Sequence, residues 1–232
     1  MSLSGGCPRR SGQGPPAGAS GETRGIDALF SFFFFIFRVS SGQILNEPQS
    51  RKETDMAVLV LVDVQKEYIT EGRPFCLETI GESLENLRRL LAHGRKMGWK
   101  IVHMRHQQNA ECFSYGSEYS EFIDGFGPQG NEADLVKTDF SCFSCPEFQA
   151  LVDRARHQEI ILAGYGATMC CLSTLIDAHH RGYEFTFVTD ATCAKRSARF
   201  GEQDMKEHIV DIMAAFANLI TTDELLNRRE DV

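Results

Sequence analysis

From residue 57 onward, apolar positions follow two alternating rhythms. Residues 57–62 (AVLVLV) form an unbroken, largely β-branched run. Such a run fits a parallel strand covered on both faces. Leu84, Leu87, Leu90 and Leu91 then recur at helical spacing among charges, which predicts a helix over 80–97 closed by Gly98. The pattern repeats. It predicts strands at 100–104 (KIVHM), 159–163 (EIILA) and 184–188 (EFTFV), and helices at 147–156, 168–181 and 205–219. A short apolar stretch at 134–136 leads into Lys137, and 219–222 reads as a last short strand. A polar, aromatic loop fills 107–134.

Repeated strand–helix units with buried strands imply a parallel sheet covered by helices on both faces. In such sheets ligands bind beyond the carboxyl ends of the strands. That rule selects three places: Asp63 after the first strand, the turn from Gly164 to Thr168 after the 159–163 strand, and Asp190 after the 184–188 strand.

The rhythm is absent before Met56. Residues 1–25 are rich in Gly, Ser, Pro and Arg, and 40–55 are polar; both read as disordered. Between them, 28–37 (ALFSFFFFIF) is dense in Phe. It is too short for a membrane span, which needs ~18 to 20 apolar residues. As a signal peptide it has too long a leader and a weak cleavage site. The expectation is an adventitious extension over 1–55 and a natural start at Met56, with one domain over 56–232.

Composition narrows the class. Hydrophobic residues make up 42% and charged residues 24%, enough apolar material for a real core. The net charge of -8, with no basic block, argues against nucleic acid and anionic membrane as partners. Eight cysteines in a chain of this kind read as reduced, cytoplasmic thiols. Cys142 and Cys145 form a CxxC with no second metal-binding pair, and are read as packing residues.

Cys170 falls in the first turn of the 168–181 helix. There the helix dipole and unpaired N–H groups favour an anion. A thiol so placed is expected to ionise below the ~8.5 of free cysteine. The competing reading is a buried cysteine serving as a small hydrophobe.

Three stretches together decide between these readings: Asp63-Val64-Gln65, the segment of Lys137, Phe140, Ser141 and Phe143, and Gly164…Cys170…Thr174…Asp177-Ala178. They resemble the motifs of the isochorismatase-like cysteine hydrolases, the superfamily of nicotinamidases, carbamoylsarcosine amidohydrolases and ureidoacrylate hydrolases. The resemblance covers 57–226. It implies a three-layer α/β/α, Rossmann-like sandwich around a six-stranded parallel sheet, and commonly a homo-oligomer. It also implies cleavage of a C–N bond in a small amide, carbamoyl or ureido substrate through a thioester, with water as the second substrate. Cys170 would be the nucleophile, Asp63 the acid–base and Lys137 its electrostatic partner. The N–H groups of Ala167 and Cys170 would form the oxyanion hole, and a cis peptide would join Tyr165 to Gly166. Cys171 falls where the family has Val, on the core side. The two alternatives are a nicotinamidase-like deamidase and a catalytically silent interaction protein on the same fold.

The family's metal-binding Asp-x-His arrangement is missing near His103 and His106, so neither metal nor cofactor is expected. Tyr68, Arg105, His106, Phe140 and Gly166 are the expected substrate-binding residues, with Phe113 and Tyr115 as further pocket candidates. Glu132 matches a glutamate common at its position, without an assigned role. Asp190 is expected to be structural, and His208 to lie on a helix surface.

Overall fold

The first strand, β1 (Val58–Val62), is buried along its whole length. Its side chains alternate between two cores. Val58, Val60 and Val62 enter one, while Leu59 and Leu61 enter the other. This computed structural model describes residues 56–228. The expectations for 1–55, and for Met56 as a natural start, therefore rest on a segment outside the described residues.

The remaining elements follow in order as α1 (Ile80–Met97), β2 (Lys100–His106), β3 (Ala133–Lys137), α2 (Pro146–Arg154), β4 (Ile160–Gly164), α3 (Leu172–His180), β5 (Phe185–Val188), α4 (Glu202–Met213), β6 (Asn218–Ile220) and α5 (Thr222–Arg228). The six strands form one sheet in the order β3-β2-β1-β4-β5-β6. Every neighbouring pair is parallel. One core packs the sheet against Phe148 and Val152 of α2, Leu175 of α3 and Met213 of α4. The other packs it against Leu87 and Leu90 of α1 and Leu225 of α5. These are the three layers expected from the alternating rhythm. Among the described residues, no helix is long and apolar enough to cross a membrane.

The largest boundary differences from the sequence expectation lie in one helix. The helix expected over 205–219 is α4, which starts at Glu202 and ends at Met213; Asn218 to Ile220 pair with β5 instead. The early start has a cause in the Glu202 carboxylate. It is buried and accepts the Glu78 and Thr79 N–H groups and the Thr79 hydroxyl, joining α4 to the amino end of α1. The short helix α5 was not expected at all. Asp190 is structural as expected, its carboxylate accepting both the N–H and the hydroxyl of Thr222 at the start of α5.

Strand order reverses direction between β1 and β4, which leaves a crevice at their carboxyl ends. Asp63, Lys137 and the turn after β4 all lie at that end.

Candidate active site

Asp63 follows β1 directly. Its N–H bonds to the Met104 carbonyl at 2.8 Å, and its backbone sits at φ 52, in the left-handed region. Phe113 at φ 53 is the other non-glycine residue in that region among those described. Such conformations cost ~1–3 kcal/mol each and persist where the surroundings enforce them. Both flank the same cluster of side chains.

That cluster centres on Lys137, the last residue of β3. Its side chain and that of Asp63 are wholly shut off from solvent. Lys137 Nζ stands 3.1 Å from Asp63 Oδ2 and 3.2 Å from Cys170 Sγ. It is also 3.2 Å from His106 Nδ1 and 3.2 Å from the Asp139 carbonyl. The Lys137–Asp63 separation is that of an ion pair, yet neither carboxylate oxygen accepts a directed hydrogen bond. Asp63 therefore keeps lone pairs free to take a proton.

Burial alone would lower the Lys137 pKa. Asp63 and Cys170 outweigh it and raise it, so the ammonium stays charged. Burial, and after it the Asp63 carboxylate, push the Cys170 thiol well above its ordinary value, against the pull of Lys137. Both effects oppose the easy ionisation expected of a thiol at a helix start. Asp63 and Lys137 thus act on the Cys170 thiol in opposite senses.

The turn that carries Cys170 is built by two glycines. Gly164 lies at φ +125, and a Cβ there would stand 2.2 Å from the Val62 carbonyl oxygen. Gly166 lies at φ +73, and a Cβ there would meet Cys170 Cβ at 3.0 Å, Tyr68 Oη at 3.1 Å and Cys170 Sγ at 3.2 Å. All peptide bonds among the described residues are trans, which corrects the expected cis bond between Tyr165 and Gly166. Positive φ at the two glycines turns the chain from strand to helix instead. The helix opens with a widened, π-type turn over Ala167–Cys171, in which Cys171 N–H reaches the Gly166 carbonyl at 3.1 Å. Ala167 and Cys170 both lie in this opening turn. Cys171 points away into the core, its thiol bonded to the Tyr165 carbonyl at 3.3 Å.

The other expected residues divide. Tyr68 is buried, with its ring 5.3 Å from Tyr165 and 5.5 Å from Phe113. His106 joins the cluster through Lys137. Arg105 does not: it binds Asp134 with two hydrogen bonds of 3.0 and 2.8 Å and lies over the Phe122 ring. Arg105 and His106 are successive residues of β2, so their side chains leave the strand in opposite directions. Phe140 and Tyr115 are about half exposed, at 49% and 48%. Cys142 and Cys145 are buried free thiols, and burial pushes Cys142 up to about 12. His208 is exposed on α4, with Nδ1 2.6 Å from the Asp204 carbonyl.

Three supports were not read from the sequence. Gln65 donates to the His106 and Ser120 carbonyls at 3.0 and 2.7 Å, and accepts the His106 N–H at 2.9 Å. Thr174 donates to the Cys170 carbonyl at 2.7 Å and accepts the Cys142 N–H at 3.0 Å. Glu132 binds Arg95 at 2.7 and 2.9 Å and His103 at 2.8 Å, tying α1 to the sheet. The first two belong to motifs visible in the sequence, but nothing there reveals their partners. Among the described residues no group of three or more His, Cys, Asp or Glu side chains is arranged to hold a metal ion.

A doubly wound α/β fold with a buried Cys, Asp and Lys cluster at its switch point defines a class, and the comparisons supply the family. Residues 57–224 match the isochorismatase domain model, and the chain belongs to the isochorismatase family. It is 27% identical over 185 residues to a secreted isochorismatase effector of Verticillium dahliae, covering 78% of this chain and 96% of that protein. It is 24% identical over 178 residues to nicotinamidase 3 of Arabidopsis thaliana, covering 73% of this chain and 87% of the relative. The fold superposes on an isochorismatase crystal structure from Pseudomonas putida KT2440 with a TM-score of 0.67, 25% identity, and 77% and 93% of the two chains covered.

Proposed function

We propose that this isochorismatase-family hydrolase cleaves the C–N bond of a small amide, carbamoyl or ureido compound through a thioester on Cys170. One observation carries the reading. A thiol, a carboxylate with free lone pairs and an ammonium meet in a dry site, with Lys137 Nζ 3.1 Å from Asp63 Oδ2 and 3.2 Å from Cys170 Sγ.

The chemistry follows from their charges. Asp63 takes the Cys170 proton as Sγ attacks the carbonyl carbon. The carbonyl oxygen becomes an oxyanion, met by the Ala167 and Cys170 N–H groups at the helix end. When the oxyanion collapses, the C–N bond breaks and Asp63 passes the proton to the leaving nitrogen. A thioester remains. Water then gives a proton to Asp63 and attacks the same carbon, and the acid leaves as Cys170 recovers its proton. The single negative charge starts on Asp63, passes through sulfur to the carbonyl oxygen and returns to Asp63 when the leaving nitrogen is protonated, with Lys137 beside both the carboxylate and the sulfur. The reaction uses only this chain and water.

The test is a panel of amides, carbamates and ureido acids, with released ammonia or amine measured and the acid-quenched enzyme weighed by mass spectrometry. The reading expects turnover of at least one compound and an acyl mass on the Cys170 peptide, both lost in Cys170→Ala. Cleavage of a vinyl ether by wild type and Cys170→Ala alike, with no amide consumed, overturns it.

A further inference from the structure

His106 is buried at the carboxyl end of β2, with its ring in the catalytic cluster rather than on the surface. Its backbone is held on both sides by the Gln65 amide, which accepts its N–H and donates to its carbonyl. Its ring stands perpendicular to that of Phe113, with centroids 5.3 Å apart. Phe113 is one of the two non-glycine residues held in the left-handed region among those described. Considerable structure is thus committed to one imidazole.

Nδ1 of that imidazole lies 3.2 Å from Lys137 Nζ. An ammonium only donates, so Nδ1 accepts, and the ring proton sits on Nε2. The opposite tautomer would set two N–H donors face to face at that distance. Gln108, beside the ring, gives its amide N–H to the Cys112 carbonyl at 3.2 Å.

Lys137 has three protons and three hydrogen-bond acceptors, Cys170 Sγ, His106 Nδ1 and the Asp139 carbonyl, with Asp63 Oδ2 beside it as its ion-pair partner. From this geometry, and resting on the reading of Lys137 and Cys170 as reaction partners, we infer that His106 is a positioning residue. As a neutral acceptor it takes one Lys137 N–H and fixes the ammonium so that a second N–H points at Cys170 while the charge stays beside Asp63. A carboxylate in its place would draw the ammonium away from both. An imidazolium would repel it. Burial, then the Lys137 ammonium, hold the His106 pKa below its ordinary value, while Asp63 acts the other way; the ring therefore remains neutral at pH 7. The charged or titratable groups around it are Lys137 and Asp63.

The test needs no substrate. Iodoacetamide alkylation of Cys170 is followed across pH by peptide mass spectrometry in wild type, Lys137→Met, His106→Leu and His106→Asn. Losing one oriented hydrogen bond is expected to slow Cys170 alkylation at pH 7.5 by about three- to tenfold in His106→Leu, and to move the inflection upward, in the direction Lys137→Met moves it. His106→Asn offers an oxygen close to the place of Nδ1 and is expected to recover most of the rate. If the His106→Leu profile superposes on wild type while Lys137→Met shifts, the inference is overturned. It is equally overturned if Leu and Asn fall together in step with their unfolding midpoints. Imidazole ¹⁵N shifts of the wild-type protein supply a reading that does not depend on any variant folding. The Nε2–H tautomer is expected at pH 7, and an Nδ1–H tautomer or an imidazolium overturns the inference. A protein that meets these expectations but hydrolyses no amide removes the hydrolase reading alone.

Discussion

Lys137 and Asp63 form an ion pair of 3.1 Å with no solvent access to either side chain. Their mutual attraction offsets a desolvation cost that neither could bear alone. Replacing one partner strands the other. Lys137→Ala is therefore expected to lower folding stability by about 3–5 kcal/mol. The double variant Asp63→Asn with Lys137→Met removes both charges at nearly constant volume. It is expected to unfold close to wild type, yet to form no acyl-enzyme. Urea denaturation of the single and double variants checks this. A double variant as unstable as Lys137→Ala contradicts it.

The Cys170 thiol feels opposite pulls from Asp63 and Lys137, the carboxylate raising its pKa and the ammonium lowering it. Removing each charge must shift it in the opposite direction. Asp63→Asn is expected to move the inflection of Cys170 alkylation to lower pH and Lys137→Met to higher pH. Asp63→Asn would then carry the more reactive thiol while losing turnover, because no group remains to pass a proton to the leaving nitrogen. A rate-against-pH series for the two variants decides the signs.

Gly164 and Gly166 are both left-handed, but they guard different things. At Gly164 a methyl group would strike the Val62 carbonyl oxygen at 2.2 Å, and backbone in mid-sheet cannot yield. Gly164→Ala is expected to cost about 3 kcal/mol or more, or to prevent folding. At Gly166 the nearest atoms are Cys170 Cβ and Sγ and the Tyr68 hydroxyl. Gly166→Ala is expected to cost about 1–2 kcal/mol for the αL conformation and to remain folded. Its larger effect is on alkylation and turnover, since the added methyl fills the space beside Sγ. Thermal melts paired with Cys170 alkylation separate the two.

Glu132 provides a pH test away from the active site. Burial would raise its pKa, but Arg95, the Gln129 N–H and His103 overcome that and hold it at about 2, below the ordinary 4.5. A carboxylate depressed on folding contributes stability that is complete above its unfolded value and disappears as pH falls through its folded one. The window here runs from about 4.5 down to about 2. Glu132→Gln is expected to be less stable than wild type by about 2 kcal/mol at pH 7, with the gap closing across that window. Denaturant midpoints measured from pH 7 to pH 2 check the trend, and a gap independent of pH contradicts it.

The buried strands were legible because sheet strands covered on both faces must be apolar throughout, as β1 and β4 are. The boundary between α4 and β6 was not. Met205, Ile209, Met213 and Phe216 keep a helical spacing across the real end of the helix, and only pairing with β5 reveals the break. The helix α5 left a signal that went unread. Thr221 and Glu224 form a reciprocal capping box, with the Glu224 carboxylate on Thr221 N–H at 2.9 Å and Thr221 Oγ1 on Glu224 N–H at 3.3 Å. In the site, motif residues announced themselves by type and spacing. Gln65 did not disclose its task, because its partners His106 and Ser120 lie 41 and 55 positions away. Nor did Arg105 disclose its partner, Asp134, which lies 29 positions away.

Thr174 has a consequence for how such a protein can diversify. Its hydroxyl links the carbonyl of Cys170 to the N–H of Cys142, five residues beyond Lys137. The turn bearing sulfur and the segment bearing the ammonium thus move as one rigid part. The loop between β2 and β3 contributes none of the proposed reacting groups, though it supplies Phe113 and Gln108 to the surroundings of His106. Its exposed stretches are free to lengthen, shorten or change composition without resetting the reactive distances. Substrate preference can drift on one part of the molecule while bond-breaking geometry is inherited unchanged on another.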